Sequence, residues 1–257
     1  MPKFSANISM LFNEAMFIHR FKKAAENGFE AVEIQFPYTF DKSLILEKLQ
    51  ENNLKLVLHN LPSGNNQKDK GIACNPSRKN EFQDSVGLAI EYAKYLNCKQ
   101  LNCLSGIPET STQKNITSET LISNLQFAAD KLEKENIKLL IEPINHYDIP
   151  GFFLNNSSQA KTVINSVKSK NLFLQYDIYH MQIMEGNIIE TIKSNLNLIK
   201  HIQFADNPGR HEPGTGELNF PYIFNQLDQI GYKGWVGAEY NPFSNSEKSL
   251  DWFKINK

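Results

Sequence analysis

Glu142, Asp177, Gln203 and Glu239 share a place in the sequence pattern. Each stands at or near the end of a short apolar run, in "IKLLIE", "FLQYDIYH", "HIQFAD" and "VGAEYNP". A carboxylate at the mouth of a core strand is costly unless something there needs charge. Three carboxylates and one amide brought together would repel one another, and a divalent cation is the usual resolution. An all-oxygen donor set favours Mg²⁺ or Mn²⁺ over zinc, which prefers His and Cys. Taken singly, an acidic residue at a strand end is more often a cap or a loop hydrogen-bond acceptor. Four such polar residues, three acids and one amide, on adjacent strands at matching depth reverse that balance and read as a metal site.

Such a set needs elements that bring distant segments to one point. Eight short apolar runs alternate with segments of helical period along the chain. They are "FSANISML" at 4–11, "FEAVEIQF" at 29–36, "KLVLHN" at 55–60, "KQLNCL" at 99–104, "IKLLIE" at 137–142, "LFLQYD" at 172–177, "HIQFAD" at 201–206 and "WVGAEY" at 235–240. Alternation of this kind predicts βα units and a parallel sheet. Eight strands in 257 residues match a closed α/β barrel, (β/α)₈, and no Gly-rich phosphate turn follows the first strand as in a doubly wound sheet. With no linker or low-complexity tract, the reading is a single domain over 1–257. Side chains alternate along a strand, so the parity that turns the four polar residues inward sends Ile141, Tyr176, Ile202, Phe204 and Ala238 outward against the helices. Among the helical segments, "FIHRFKKAAENG" ends on Gly28 as a C-cap and "SETLISNLQFAADKLEKENI" opens on Ser118 as an N-cap. The long polar stretch 62–80 is expected on the C-terminal face as a lid or active-site loop.

Composition narrows the function classes. Lys plus Arg number 27 against 28 Asp plus Glu, a net charge of −1 with no basic block, which argues against nucleic acid as a partner. The three cysteines show no CxxC spacing and fit reduced thiols in the cytosol. No apolar run approaches a membrane span and no basic-then-apolar leader opens the chain, so a cytoplasmic protein without membrane partners is expected. The absence of a dinucleotide turn argues against a nicotinamide or other organic cofactor. A homo-oligomer joined through outer helices is compatible with the sequence.

The chain resembles the hydroxypyruvate isomerase family of the xylose-isomerase-like TIM barrels, nearly end to end. The resemblance rests on "FSANISMLF", "GFEAVEIQFPY", "LLIEPIN", "LQYDIYH", "HIQFADNPGRHEPGTGELNFPYIF" and "GYKGWVGAEYNP". It implies isomerisation of a small hydroxy-keto acid, hydroxypyruvate to 2-hydroxy-3-oxopropanoate, with one divalent metal on Glu142, Asp177, Gln203 and Glu239. It further implies that Glu142 and Glu239 are catalytic, carrying protons through an enediolate, and that His180 binds substrate. Related keto-sugar epimerases have His where Gln203 stands, a departure that fits the isomerase branch.

A ketone beside a CH–OH can chelate a cation, which acidifies the neighbouring hydrogen for removal by a glutamate. Three ligand carboxylates outweigh a +2 ion, so an anionic substrate calls for further cationic donors, and Arg210 and His211 in "GRHEPG" are the expected ones. Lys68, Lys70 and Arg78 read as solvated, and His59 and Glu33 as satisfied interior groups. Two further readings compete: a 2-oxo-tetronate isomerase, ketose isomerase or 3-epimerase with the same chemistry, and a metal-dependent nuclease of the same barrel type cutting at abasic sites. The second wants His-rich zinc ligands and a basic face, which Gln203 and the net charge do not supply.

Overall fold

The computed structural model describes residues 2–255. Its eight strands are Lys3–Asn7 (β1), Ala31–Ile34 (β2), Lys55–Asn60 (β3), Gln100–Cys103 (β4), Lys138–Ile141 (β5), Leu172–Asp177 (β6), Ile199–Phe204 (β7) and Trp235–Ala238 (β8). They pair in chain order, all parallel, and β8 pairs back onto β1 to close a barrel. The helices between them are Phe17–Glu26 (α1), Lys42–Glu51 (α2), Lys79–Tyr95 (α3), Lys114–Lys134 (α4), Ser157–Ser166 (α5), Ile178–Met184 (α6), Ile188–Ser194 (α7), Phe220–Gln229 (α8) and Asp251–Ile255 (α9). This is a (β/α)₈ TIM barrel, with two short helices rather than one after β6. Among the described residues, no helix is long and apolar enough to cross a membrane.

The expected parity holds. Ile141, Tyr176, Ile202, Phe204 and Ala238 are fully buried on the helix side of the sheet. Phe204 meets Phe220 and Phe224 of α8 and Trp252 of α9 at ring distances of 5.5, 5.2 and 5.0 Å. Removing each such ring from water is worth roughly 1.5–3 kcal/mol, so the outer layer carries much of the fold's stability.

The inward layer is polar. Glu33 on β2 accepts from Ser5 at 2.6 Å and from the Gln203 amide at 2.8 Å, and meets His201 Nε2 at 2.8 Å. Gln100 reaches His201 Nδ1 at 3.1 Å. A buried carboxylate with this many partners stays ionised: burial pushes its pKa up, but the charge and hydrogen bond of His201 with those of Ser5 and Gln203 leave it below the usual value. Gly237 makes the room, since a Cβ there would lie 2.0 Å from Glu33 Oε1.

Gly28 takes φ +89 just past α1, where Phe29 N–H bonds Ala24 O and closes the helix as expected. Ser118 does not cap α4. That helix begins at Lys114, with Gln113 at its N-cap and Ser118 inside its first turns. Thr117 and Thr120 are buried in line with Leu121, Asn124 and Leu125, so a polar continuation of the packed face extends the helix beyond the apolar pattern.

Candidate active site

At the C-terminal end of the barrel lies a cavity of about 560 Å³ whose lining includes Glu142, Gln175, His180, Arg210 and Glu239. Asp177 is the last residue of β6, and Gln203, its register partner, is next to last on β7. Glu142 and Glu239 each stand one residue beyond the last paired residue of β5 and β8. Strand parity and closure thus bring all four to one end of the barrel.

Each candidate is held by named partners. Asn102 on β4 donates to Glu142 Oε2 at 2.8 Å. Asp177 Oδ1 accepts from Tyr179 N–H at 2.8 Å and caps α6, which leaves Oδ2 buried without a hydrogen-bond partner. Glu239 Oε1 accepts from Asn7 at 2.8 Å and Gln35 at 3.0 Å, and its Oε2 from Arg210 at 2.7 Å. Gln203 gives its amide N–H to Glu33 and accepts from Gln175 at 2.6 Å on Oε1, where a second lone pair remains.

Burial pushes the Glu142 carboxyl well above the usual carboxylate range, with Glu239 and Asp177 adding to the rise. Burial lifts Asp177 to about 7 although Arg210 opposes it, and Glu239 is raised in the same way. His180 is pushed well below its usual value by burial and then by Arg210, so its imidazole is neutral near pH 7.

The loop after β7 is organised by Asp206, whose carboxylate accepts from the N–H groups of Asn207, Gly214, Gly216 and Leu218. Those bonds set the course of the "GRHEPG" segment. Arg210 takes φ +57, and Asn241 N–H bonds its carbonyl at 2.8 Å. A side-chained residue in this region persists only where its surroundings over-determine it. Its guanidinium pairs with Glu239, lies 3.8 Å from Asp177 and 3.9 Å from Asp148, and covers the Tyr179 ring. His211 points elsewhere: its Nδ1 lies 2.7 Å from Asn241 O and its ring meets Phe243.

The 62–80 stretch does run over the site, and Ser63, Asp69 and Lys70 line the cavity. Arg78 is held away from it by paired bonds to Asp69 and by Glu81. His59 is buried with Nδ1 3.1 Å from Tyr38 Oη, on the helix side of β3.

The donors fit a cation. One ligand atom each from Glu142, Asp177 and His180 lies within 4.8 Å of the others. Asp177 Oδ2 and Gln175 Oε1 are buried without partners, and Glu142 and Asp177 are buried carboxyls whose pKa values burial raises. A larger hollow of about 1050 Å³ at the opposite end is lined by Lys55, Lys99, Lys138, Lys200 and Lys233. Helix C-termini gather on that face, so the lysines offset their partial negative charge.

Sequence reading did not single out Asn7, Gln35, Asn102, Asn145, Gln175 or Asp206. Parity alone could have flagged Gln175, which stands two residues before Asp177 on β6 and so faces the same side.

Three comparisons place the chain. The family described as Xylose isomerase-like TIM barrel matches residues 21–255. The hydroxypyruvate isomerase of Escherichia coli (strain K12) is 49% identical over 253 residues, covering 98% of each chain. The 2-oxo-tetronate isomerase of Pectobacterium atrosepticum is 40% identical over 98% of this chain and 97% of its own. Among solved structures, AP endonuclease, family 2, from Brucella melitensis superposes with a TM-score of 0.97 at 42% identity, covering all of both chains.

Proposed function

The chain belongs to the xylose isomerase-like TIM barrel family, is an isomerase of small keto acids, and within that class we propose that it converts hydroxypyruvate to 2-hydroxy-3-oxopropanoate. The observation that carries the reading is the group of three buried carboxylates, Glu142, Asp177 and Glu239, one with an unpartnered oxygen, with His180 and Arg210 beside them at the C-terminal end of the barrel. A divalent cation, Mg²⁺ or Mn²⁺ in keeping with oxygen donors, would be held by Glu142, Asp177, Gln203 and Glu239 and would supply Lewis-acid polarisation of the ketone.

The chain's own groups then divide the work. Glu239 has its charge supported by Asn7, Gln35 and Arg210, which makes it the better starting carboxylate. It removes a proton from C3 of hydroxypyruvate to give the enediolate. Glu142, with Asn102 as its donor, delivers a proton to C2 while the hydroxyl proton passes from O3 to O2, which leaves the aldehyde at C3. His180 donates a hydrogen bond to a substrate oxygen. Arg210 is engaged by carboxylates of the site, so exposed Lys70 at the cavity wall joins it in meeting the substrate carboxylate. The 2-oxo-tetronates present the same hydroxy-keto acid unit with a longer chain.

Proton NMR in D₂O tests this directly. Hydroxypyruvate should gain deuterium at C3 and yield aldehyde product, both dependent on enzyme and abolished by chelator. Absence of exchange with hydroxypyruvate and 2-oxo-tetronates would overturn the reading. The likeness to the Brucella protein makes phosphodiester cleavage the second reading, and cleavage of an abasic duplex without any exchange would establish it instead.

A further inference from the structure

Asn145 lies in the turn after β5 and is fully buried, three residues beyond Glu142. Its Oδ1 accepts from two backbone N–H groups, Tyr147 at 3.0 Å and Asp148 at 2.8 Å. Backbone donors cannot be reversed, so the orientation of this amide is fixed: the NH₂ end must be the one that faces His180. That end lies 2.7 Å from His180 Nδ1. A nitrogen that receives an N–H bond carries no proton of its own, so the proton of the neutral ring sits on Nε2. Nε2 is the atom turned towards the site, 3.5 Å from Asp177 Oδ2, in a ring that lines the cavity.

We propose that Asn145 is a positioning residue that locks His180 as the Nε2–H tautomer, making the imidazole a hydrogen-bond donor to the substrate and excluding it as a metal ligand. The exclusion follows from counting protons. A ligating Nε2 would have to be bare while Nδ1 is also bare under the Asn145 N–H, which leaves an imidazolate. His180 therefore stands apart from Glu142 and Asp177 although its ligand atoms lie within reach of theirs. A fixed donor aimed at the oxygen on which charge develops is worth more than a freely rotating one. The inference rests on the isomerase reading only for what the donor acts on.

The tautomer is read by long-range ¹H–¹⁵N correlation spectra of protein labelled with ¹⁵N-histidine, with His180 assigned by the loss of its signals in His180→Gln. Six histidines keep the spectrum tractable. In the wild type, with chelator or with Mg²⁺, Nε2 should be the protonated, pyrrole-type nitrogen and Nδ1 the bare one. Asn145→Asp keeps an acceptor for Tyr147 and Asp148 but replaces the donor to His180 with an oxygen, so Nδ1 should become protonated. Its kcat on hydroxypyruvate should drop by about a hundredfold, the usual cost of losing one preorganised donor. In a His180→Gln background the same substitution should add no further loss. A protonated Nδ1 in the wild type, an unchanged tautomer in Asn145→Asp, or an equal loss in both backgrounds would each overturn the proposal. If Asn145→Asp does not fold, the wild-type spectrum decides alone. A wild type with the Nε2–H tautomer but no turnover would refute the isomerase reading and leave this inference standing.

Discussion

Asp177→Asn should make the cation-free protein more stable while removing its response to metal. Asp177 is fully buried, its Oδ2 has no hydrogen-bond partner, and Glu142 and Glu239 add charge nearby. Its folded pKa is raised from the usual 3.8 to about 7, a rise of about three units, which at ~1.36 kcal/mol per unit amounts to about 4 kcal/mol. The sign follows from linkage. A carboxyl that holds its proton more tightly when folded contributes stability below pH 4, and that contribution is lost as pH rises through about 7. Asparagine keeps the oxygen that caps α6 through Tyr179 and carries no charge. At pH 8 in chelator the variant should therefore melt roughly 10 °C above the wild type, a gain that fades towards pH 4. Saturating Mg²⁺ or Mn²⁺ should raise the wild-type Tm at pH 8 by about 5–10 °C, as expected for a ligand near a hundred times its Kd, and leave the variant unmoved. Thermal unfolding at pH 4.5 and 8, with chelator and with metal, reads both effects. A variant less stable than the wild type at pH 8 without metal would refute the reasoning, because Asp177 would then be a stabilising charge.

The two glutamates should fail differently. Glu239→Gln should abolish deuterium entry at C3, whereas Glu142→Gln should retain some exchange while product formation falls by several orders of magnitude; the reverse pattern by NMR would exchange their roles. Lys70→Ala should raise KM for hydroxypyruvate about tenfold with kcat retained and leave a neutral ketose unaffected, while Arg210→Ala should lower kcat as well, since it strips Glu239 of its 2.7 Å partner. Steady-state kinetics on both substrates separates the two. His59 is fully buried with its pKa pushed down to about 4 by burial, so stability present above pH 6.5 should be lost as pH falls through that window, by about 3 kcal/mol in all, and His59→Gln should flatten that limb in urea melts.

How much of this was legible beforehand depends on the range of the interaction. Strands write themselves locally: short apolar runs alternating with segments of helical period marked all eight, and strand parity put Glu142, Asp177, Gln203 and Glu239 on the inner side at one end. The start of α4 was misread because Thr117 and Thr120 are polar yet packed, and only the neighbouring layer tells a buried threonine from a loop one. Partner choice was not legible at all. Arg210 reads in sequence as a free loop cation, yet it is committed to Glu239 across 29 residues; Asn7 and Glu239 meet across 232 residues because β8 pairs with β1. Asn145 stands in the sequence only as the last residue of "LLIEPIN", and its amide acquires a direction only when the turn presents two N–H groups to one end and His180 to the other. Side-chain type and strand parity are properties of the chain and fixed which groups face the barrel mouth. Protonation, pairing and tautomer are properties of the closed barrel, because each depends on donors and charges that only closure brings within hydrogen-bond distance.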